Sequence, residues 1–133
     1  SLRLSGDEAG RWRVMPYIDD MGSCLAAADA VLSRAGASSV AEIAARCVPS
    51  LLVPYPYATE NHQATNAAYL VEAGGAKVVD DGELDGGAFD AALLGMLDDA
   101  ALRDRMRRGL EGLGGAGAAR RLADAVERAA LRR

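Results

Sequence analysis

The sequence predicts an α/β fold built on a parallel sheet. Short apolar runs at 30–33, 50–53 and 76–79 are bounded by turn-forming or helix-starting residues, as buried strands are. Helix-forming segments separate these runs, and alternating helices and strands favour parallel pairing. The length of 133 residues and a hydrophobic content of 50% fit one small domain.

The first half of the chain supplies two predicted strands and two helices. Arg13–Tyr17 is predicted as a strand, and an alanine-rich helix is predicted from Met21 to Ala28. In a doubly wound sheet of order 3-2-1-4-5-6, Arg13–Tyr17 would be strand 3 and would lack its neighbour. A strand at Ala30–Ser33 and a helix at Ser39–Arg46 follow, the helix burying an apolar stripe.

The second half continues the alternation and then becomes helical. A strand at Ser50–Val53 is followed by a helix from Asn61 to a glycine C-cap at Gly74-Gly75, and then by a strand at Ala76–Val79. The tail has apolar residues at helical spacing, which indicates helices that pack on the sheet. These residues are Phe89, Leu93, Leu94 and Leu97, then Leu102, Met106 and Leu110, and, beyond a glycine-rich break, Leu122, Val126 and Ala129.

Composition excludes several classes of function. The net charge of −4 and the lack of a basic surface interleaved with aromatic residues argue against nucleic-acid binding. No apolar run is long enough to cross a bilayer. Cys24 and Cys47 are spaced for neither a metal site nor a redox pair and are expected to be reduced thiols.

The segment Ala30–Glu42 predicts an anion-binding pocket. A strand ends, Gly36 permits a tight turn, and Ser38 or Ser39 can cap a helix whose free backbone N–H groups point outward. The same letters also fit a capping box, in which Glu42 reaches back to the N–H of Ser39 and has only a structural role. Both interpretations stay open on local pattern alone.

A second polar segment, Pro54–Asn66, also follows a strand directly. Proline ends the strand there, and a helix begins within the segment. Parallel α/β sheets bind ligands at the carboxyl ends of their strands. We therefore expect the two segments to lie on the same rim of the sheet.

Several ordered motifs resemble the MurG family of peptidoglycan glycosyltransferases. They are Tyr17 to Met21 (YIDDM), Ser33 to Glu42 (SRAGASSVAE), Val53-Pro54, Asn61 to Gln63 with Asn66-Ala67, and Glu72 to Gly74. The resemblance covers nearly the whole chain and is weakest before Trp12 and after about Asp80. It implies a Rossmann-like parallel sheet from the donor domain of a GT-B fold, with C-terminal helices.

In domain terms, the resemblance makes residues 1–133 a single, incomplete UDP-sugar donor-binding domain. The sheet and the nucleotide-sugar site occupy 1–85, and 86–133 form the helical tail. The acceptor domain of the family and the G-G-S-x-G-A segment that opens its donor domain have no counterpart in this sequence.

The resemblance implies an inverting transfer of N-acetylglucosamine from UDP-GlcNAc to lipid I, which forms lipid II. It implies no metal and no cofactor, and it assigns the catalytic base to the absent acceptor domain, so this chain alone is expected to be inactive. Lipid I would bind through that missing domain. The implied location is cytoplasmic, on the inner face of the plasma membrane.

By similarity to the family, each part of UDP-GlcNAc has a predicted contact. The backbone of Ile18 would bind the uracil edge, although Ile18 is equally readable as a plain strand residue. Glu42 would accept hydrogen bonds from the ribose hydroxyls. The phosphates would be bound by the first turn of the helix and its hydroxyls, at Ala37, Ser38, Ser39 and Val40.

The sugar would be bound by Gln63 and His62. A carboxamide can donate and accept at once, which suits neighbouring hydroxyls. His62 stands where the family often has glutamine, and the alternative is a helix cap or a surface group. Arg34 would add a charge-assisted contact to phosphate or would pair with a nearby carboxylate.

Three alternatives remain open. The chain could be the donor subunit of a split UDP-GlcNAc transferase, part of another UDP-sugar transferase, or a non-catalytic nucleotide-sugar binding module. Uracil and phosphate contacts do not identify the sugar, so sequence motifs alone leave these open.

Overall fold

The computed structural model describes residues 6–57 and 62–113. Its elements are α1 (Gly6–Ala9), α2 (Met21–Ala27), β1 (Val31–Ser33), α3 (Ala37–Arg46), β2 (Ser50–Leu52), α4 (His62–Glu72), β3 (Ala76–Val78), a 3-10 turn (Asp81–Glu83), α5 (Gly87–Asp98) and α6 (Ala100–Glu111). Three of the four predicted strands are confirmed. The predicted helices are confirmed as well, except the one around Leu122, which lies outside the described residues.

The sheet is parallel and has the order β1-β2-β3. Val31 pairs with Ser50, and Ser50 pairs with Ala76, so the first residues of the three strands lie side by side across the sheet. This order is the one expected for strands 4, 5 and 6 of a doubly wound sheet. The predicted α/β class is confirmed.

The predicted strand Arg13–Tyr17 is wrong. These five residues have no regular secondary structure and are exposed, Val14 to 90%. A strand needs a neighbour for its backbone N–H and C=O groups, and β1 pairs only with β2 in the described part of the chain. A favourable local pattern without a partner strand leaves this segment irregular.

The core lies on both faces of the sheet. Leu51 and Leu52 are both fully buried and, as neighbours in one strand, point to opposite faces. Leu52 packs in a cluster with apolar residues of α3 and α4, whereas Leu51 packs with Met96 of α5 and Met106 of α6. The helices thus form a layer on each face of the sheet. The loops that follow the strands lie at the carboxyl ends of the strands.

The helix α4 ends as the sequence predicts. Gly74 has a φ of 76°, in the left-handed region that glycine adopts without strain. The N–H of Gly75 donates to the carbonyl of Leu70 at 2.9 Å, which satisfies a carbonyl that the helix end would leave unpaired. The chain can therefore enter β3 directly after the helix.

Candidate functional site

Three of the predicted contact residues line one cavity beside β1. The cavity has a volume of about 290 Å³. Ile18 lies just before α2, whereas Ser39 and Glu42 lie on α3. The remaining lining residues are Met21, Leu25, Val31, Leu32, Ser33 and Ile43. The cavity therefore combines an apolar wall with a hydroxyl and a carboxylate.

The apolar wall was not predicted from the sequence. Met21 and Leu32 are large apolar side chains that stay 42% and 47% exposed while lining the cavity. Apolar surface of this kind suits the face of a flat ring, and Glu42 and Ser39 add a carboxylate and a hydroxyl to the same lining. Met21 ends the YIDDM motif that carries the family resemblance, and the sequence analysis assigns it no contact.

The helix α3 begins earlier than predicted, at Ala37. Gly36 is the N-cap residue, and no side chain makes a cap hydrogen bond there. The predictions that Ser38 or Ser39 caps this helix, and that Ser39 and Glu42 form a capping box, are therefore wrong. Gly36 has φ −63° and ψ 147°, so the turn does not use a conformation reserved for glycine.

The first turn of α3 offers three backbone donors. The N–H groups of Ala37, Ser38 and Ser39 have no acceptor within the described part of the chain, as is usual for a helix start. The N–H of Val40 donates to the carbonyl of Gly36 at 2.9 Å, so this N–H is not one of the free donors. The Val40 side chain is buried in the core.

The two predicted loops meet through Gln63. Its Oε1 accepts from the N–H of Ala35 in the β1–α3 loop at 3.2 Å and from the N–H of Tyr55 in the β2–α4 loop at 2.9 Å. The expectation that both loops share one rim of the sheet is confirmed. Gln63 is half-buried and does not line the cavity, and His62 is exposed at the first position of α4.

Arg34 is bound by groups of the protein. Its guanidinium forms an ion pair with Asp81, donates to the carbonyl of Val53 at 3.4 Å and lies 5.6 Å from the ring centroid of Tyr55. Of the two roles considered for Arg34, pairing with a carboxylate is the one observed. The arginine thus ties the ends of β1 and β2 to the turn after β3.

Asp20 stabilises the helix that carries Met21 and Leu25 to the cavity. Its Oδ1 accepts from the N–H of Ser23 at 2.9 Å as the N-cap of α2. Hydrogen bonds from the side chain and the backbone of Ser23, with the charge of Arg46 nearby, lower the pKa of the Asp20 carboxyl below its ordinary value of 3.8.

Among residues 6–57 and 62–113, no cluster of three His, Cys, Asp or Glu side chains is arranged to hold a metal ion.

Comparison with known proteins gives a consistent set of matches. The family model for the glycosyltransferase family 28 C-terminal domain matches residues 3–128. A protein of Chlorobium limicola is 45% identical over 98 residues, 74% of this chain and 27% of its own length. One of Chlorobaculum tepidum is 42% identical over 121 residues, 91% of this chain and 33% of its own length.

Both relatives are named UDP-N-acetylglucosamine–N-acetylmuramyl-(pentapeptide) pyrophosphoryl-undecaprenol N-acetylglucosamine transferase. The crystal structure of Acinetobacter baumannii MurG is similar with a TM-score of 0.77 and 28% identity, over 87% of this chain and 33% of that one. The chain thus spans 27% to 33% of the length of these proteins.

Proposed function

The chain belongs to the glycosyltransferase family 28 C-terminal domain family, and we propose that it binds the UDP-GlcNAc donor of a MurG-type transferase. The names of its relatives specify N-acetylglucosamine as the transferred group and an undecaprenol-linked muramyl pentapeptide as the acceptor. Because the chain corresponds to about a third of those proteins, the transfer to lipid I and the acceptor itself are part of the proposal.

One observation carries the proposal: Ile18, Ser39 and Glu42 line a single cavity beside the first turn of α3. The backbone of Ile18 presents an N–H and a C=O to the uracil edge, and the carboxylate of Glu42 accepts from the ribose hydroxyls. The diphosphate then lies against the free N–H groups of α3, where the helix dipole favours negative charge.

The proposed mechanism follows from the charge that develops during transfer. An acceptor hydroxyl attacks the anomeric carbon in line while the bond to the β-phosphate oxygen breaks, and UDP leaves. The N–H groups of Ala37, Ser38 and Ser39 stabilise that leaving charge from fixed positions, which lowers the barrier without a metal from this chain. The base that removes the acceptor proton belongs to the other domain.

The proposal includes a location on the cytoplasmic face of the plasma membrane, where an undecaprenol-linked acceptor would be reached. In the described ranges, 6–57 and 62–113, none of the helices has the length and apolar character needed to cross a membrane.

The test is calorimetric titration of the full-length protein with UDP, UDP-GlcNAc, UDP-galactose and ADP. We expect saturable binding of UDP, tighter binding of UDP-GlcNAc than of UDP-galactose, and no saturation with ADP. Equal binding of the two UDP-sugars would support the alternative of another UDP-sugar transferase. Absence of UDP binding would contradict the proposal.

A further inference from the structure

Ala35 is held on both sides of its backbone by side chains of α4. Its N–H donates to Oε1 of Gln63 at 3.2 Å, and its carbonyl accepts from Nδ2 of Asn66 at 3.1 Å. Ala35 is fully buried and directly precedes Gly36, the N-cap residue of α3. These contacts join residues 28 and 31 positions apart, so sequence pattern gave no signal for them.

The start of α3 lacks the usual local support. Gly36 has no side chain with which to accept a hydrogen bond from the first turn, and no other side chain caps the helix. Besides the packing of α3 in the core, the position of its first turn therefore depends on the segment Ala35-Gly36 that leads into the helix. Gln63 and Asn66, both on α4, hold that segment through their hydrogen bonds to the backbone of Ala35.

We propose that Asn66 and Gln63 are positioning residues that orient the first turn of α3 toward the diphosphate. The proposal rests on the proposed function and adds the residues that keep its anion donors in place. Fixed donors stabilise developing charge because they need no reorganisation during the reaction. Loss of the two hydrogen bonds to Ala35 would free the segment Ala35-Gly36, from which the first turn of α3 starts.

This role limits what Gln63 can do for the sugar. A carboxamide oxygen has two lone pairs, and Oε1 of Gln63 accepts from both Ala35 and Tyr55. Only the Nε2 amide group remains for a ligand, so Gln63 can donate to a hydroxyl but cannot also accept from one. The expectation that Gln63 donates and accepts at once is revised accordingly.

The test uses Asn66→Ala and Gln63→Met in the full-length protein, with Thr65→Ala as the matched control. Thr65 is exposed on α4 and makes none of the contacts above. Dissociation constants for uridine, UDP and UDP-GlcNAc are measured by calorimetry, and the thermal midpoint and the folded fraction are measured for each variant.

We expect Asn66→Ala and Gln63→Met each to weaken UDP binding by about tenfold, with uridine binding unchanged. For Asn66→Ala, the ratio of UDP-GlcNAc to UDP affinity should stay at its wild-type value. Thr65→Ala should change none of these constants.

Three results overturn the inference. The first is a loss of UDP-GlcNAc affinity in Asn66→Ala without loss of UDP affinity, which would indicate a direct sugar contact. The second is an equal loss for uridine and UDP, and the third is a lower thermal midpoint with unchanged UDP affinity per folded molecule. If the wild-type protein fails to bind UDP, the proposed function fails instead, which separates the two outcomes.

Discussion

Ser39 and Glu42 line the same cavity from one helix, one turn apart. Because α3 begins at Ala37, Ser39 lies inside the first turn and is not the residue that precedes the helix. A capping box requires that outside position, so the carboxylate of Glu42 is not used to close the helix end. It stays exposed at the cavity, where it is available to a ligand.

We predict that Glu42→Ala weakens the binding of both uridine and UDP by about tenfold, since it removes a charged acceptor for the ribose hydroxyls. The thermal midpoint should be unchanged or slightly higher, because alanine has the highest helix propensity. Calorimetry and thermal unfolding measure the two effects. Glu72→Ala, at the exposed end of α4, is the control and should leave both nucleotide affinities unchanged.

The opposite result for Glu42→Ala would indicate that Glu42 has a structural role. A lower thermal midpoint with unchanged uridine affinity would mean that the carboxylate stabilises the helix and does not contact the nucleoside.

Gly36 provides a test that separates folding from binding. Its backbone conformation is open to any residue, and a Cβ placed there would have only Ser39 Oγ within 4.0 Å. We predict that Gly36→Ala changes the free energy of unfolding by less than about 0.5 kcal/mol, because the poorer N-cap and the lower entropy of the unfolded chain offset each other.

The same methyl group would stand beside the free N–H groups of α3, so UDP binding should weaken in Gly36→Ala while uridine binding persists. Gly87→Ala is the control, because Gly87 is the first residue of α5, also lies at a helix start and has nothing within 4 Å of a Cβ placed there. It should bind both ligands like the wild type. Unchanged UDP affinity in Gly36→Ala would place the phosphates away from this turn.

The sheet could be predicted because its strands are defined locally. Leu51 to Val53 is an apolar run between Pro49 and Pro54, and that pattern is enough to identify a buried strand. Arg13–Tyr17 has a comparable local pattern but no neighbouring strand, and no local pattern contains that information. The helix α3 starts at Ala37, two residues before the predicted Ser39, and this difference decides which N–H groups are free.

The contacts that organise the site were beyond sequence reasoning. Arg34 pairs with Asp81, 47 residues away, and Asn66 of α4 donates to the carbonyl of Ala35 in the β1–α3 loop. Asn66 stood in the motif that carried the family resemblance without any assigned role. Such contacts depend on how the loops pack at the carboxyl ends of the strands, and only the fold brings them together.

Two glycines, one in α5 and one in α6, have opposite expected effects. A Cβ at Gly109 in α6 would lie well under 3.0 Å from the carbonyl oxygen of Ala73, a backbone atom that cannot move aside, whereas a Cβ at Gly95 in α5 would meet nothing within 4 Å. We predict that Gly109→Ala destabilises the fold by more than about 2 kcal/mol through overpacking. Gly95→Ala should stabilise it by about 0.5–1 kcal/mol through helix propensity.

Denaturant unfolding of the two variants measures both effects. Because Gly109 packs α6 against the turn between α4 and β3, its effect reports whether the tail helix is docked there. Equal stabilisation by both substitutions would mean that α6 does not approach Ala73.

The pH dependence of stability should report the cap of α2. The pKa of Asp20 is lowered in the folded protein, first by the side-chain hydrogen bond of Ser23, then by the backbone N–H of Ser23 and by Arg46. A lowered pKa means that the carboxylate stabilises the fold above the unfolded value of 3.8 and loses this contribution as pH falls through the folded value.

Asp20→Asn keeps an acceptor at the cap but does not titrate. We therefore expect wild type to exceed Asp20→Asn in the free energy of unfolding at neutral pH, and the difference to shrink below pH 3.8. A difference that stays constant from neutral pH to well below that value would show that the charge of Asp20 does not stabilise α2.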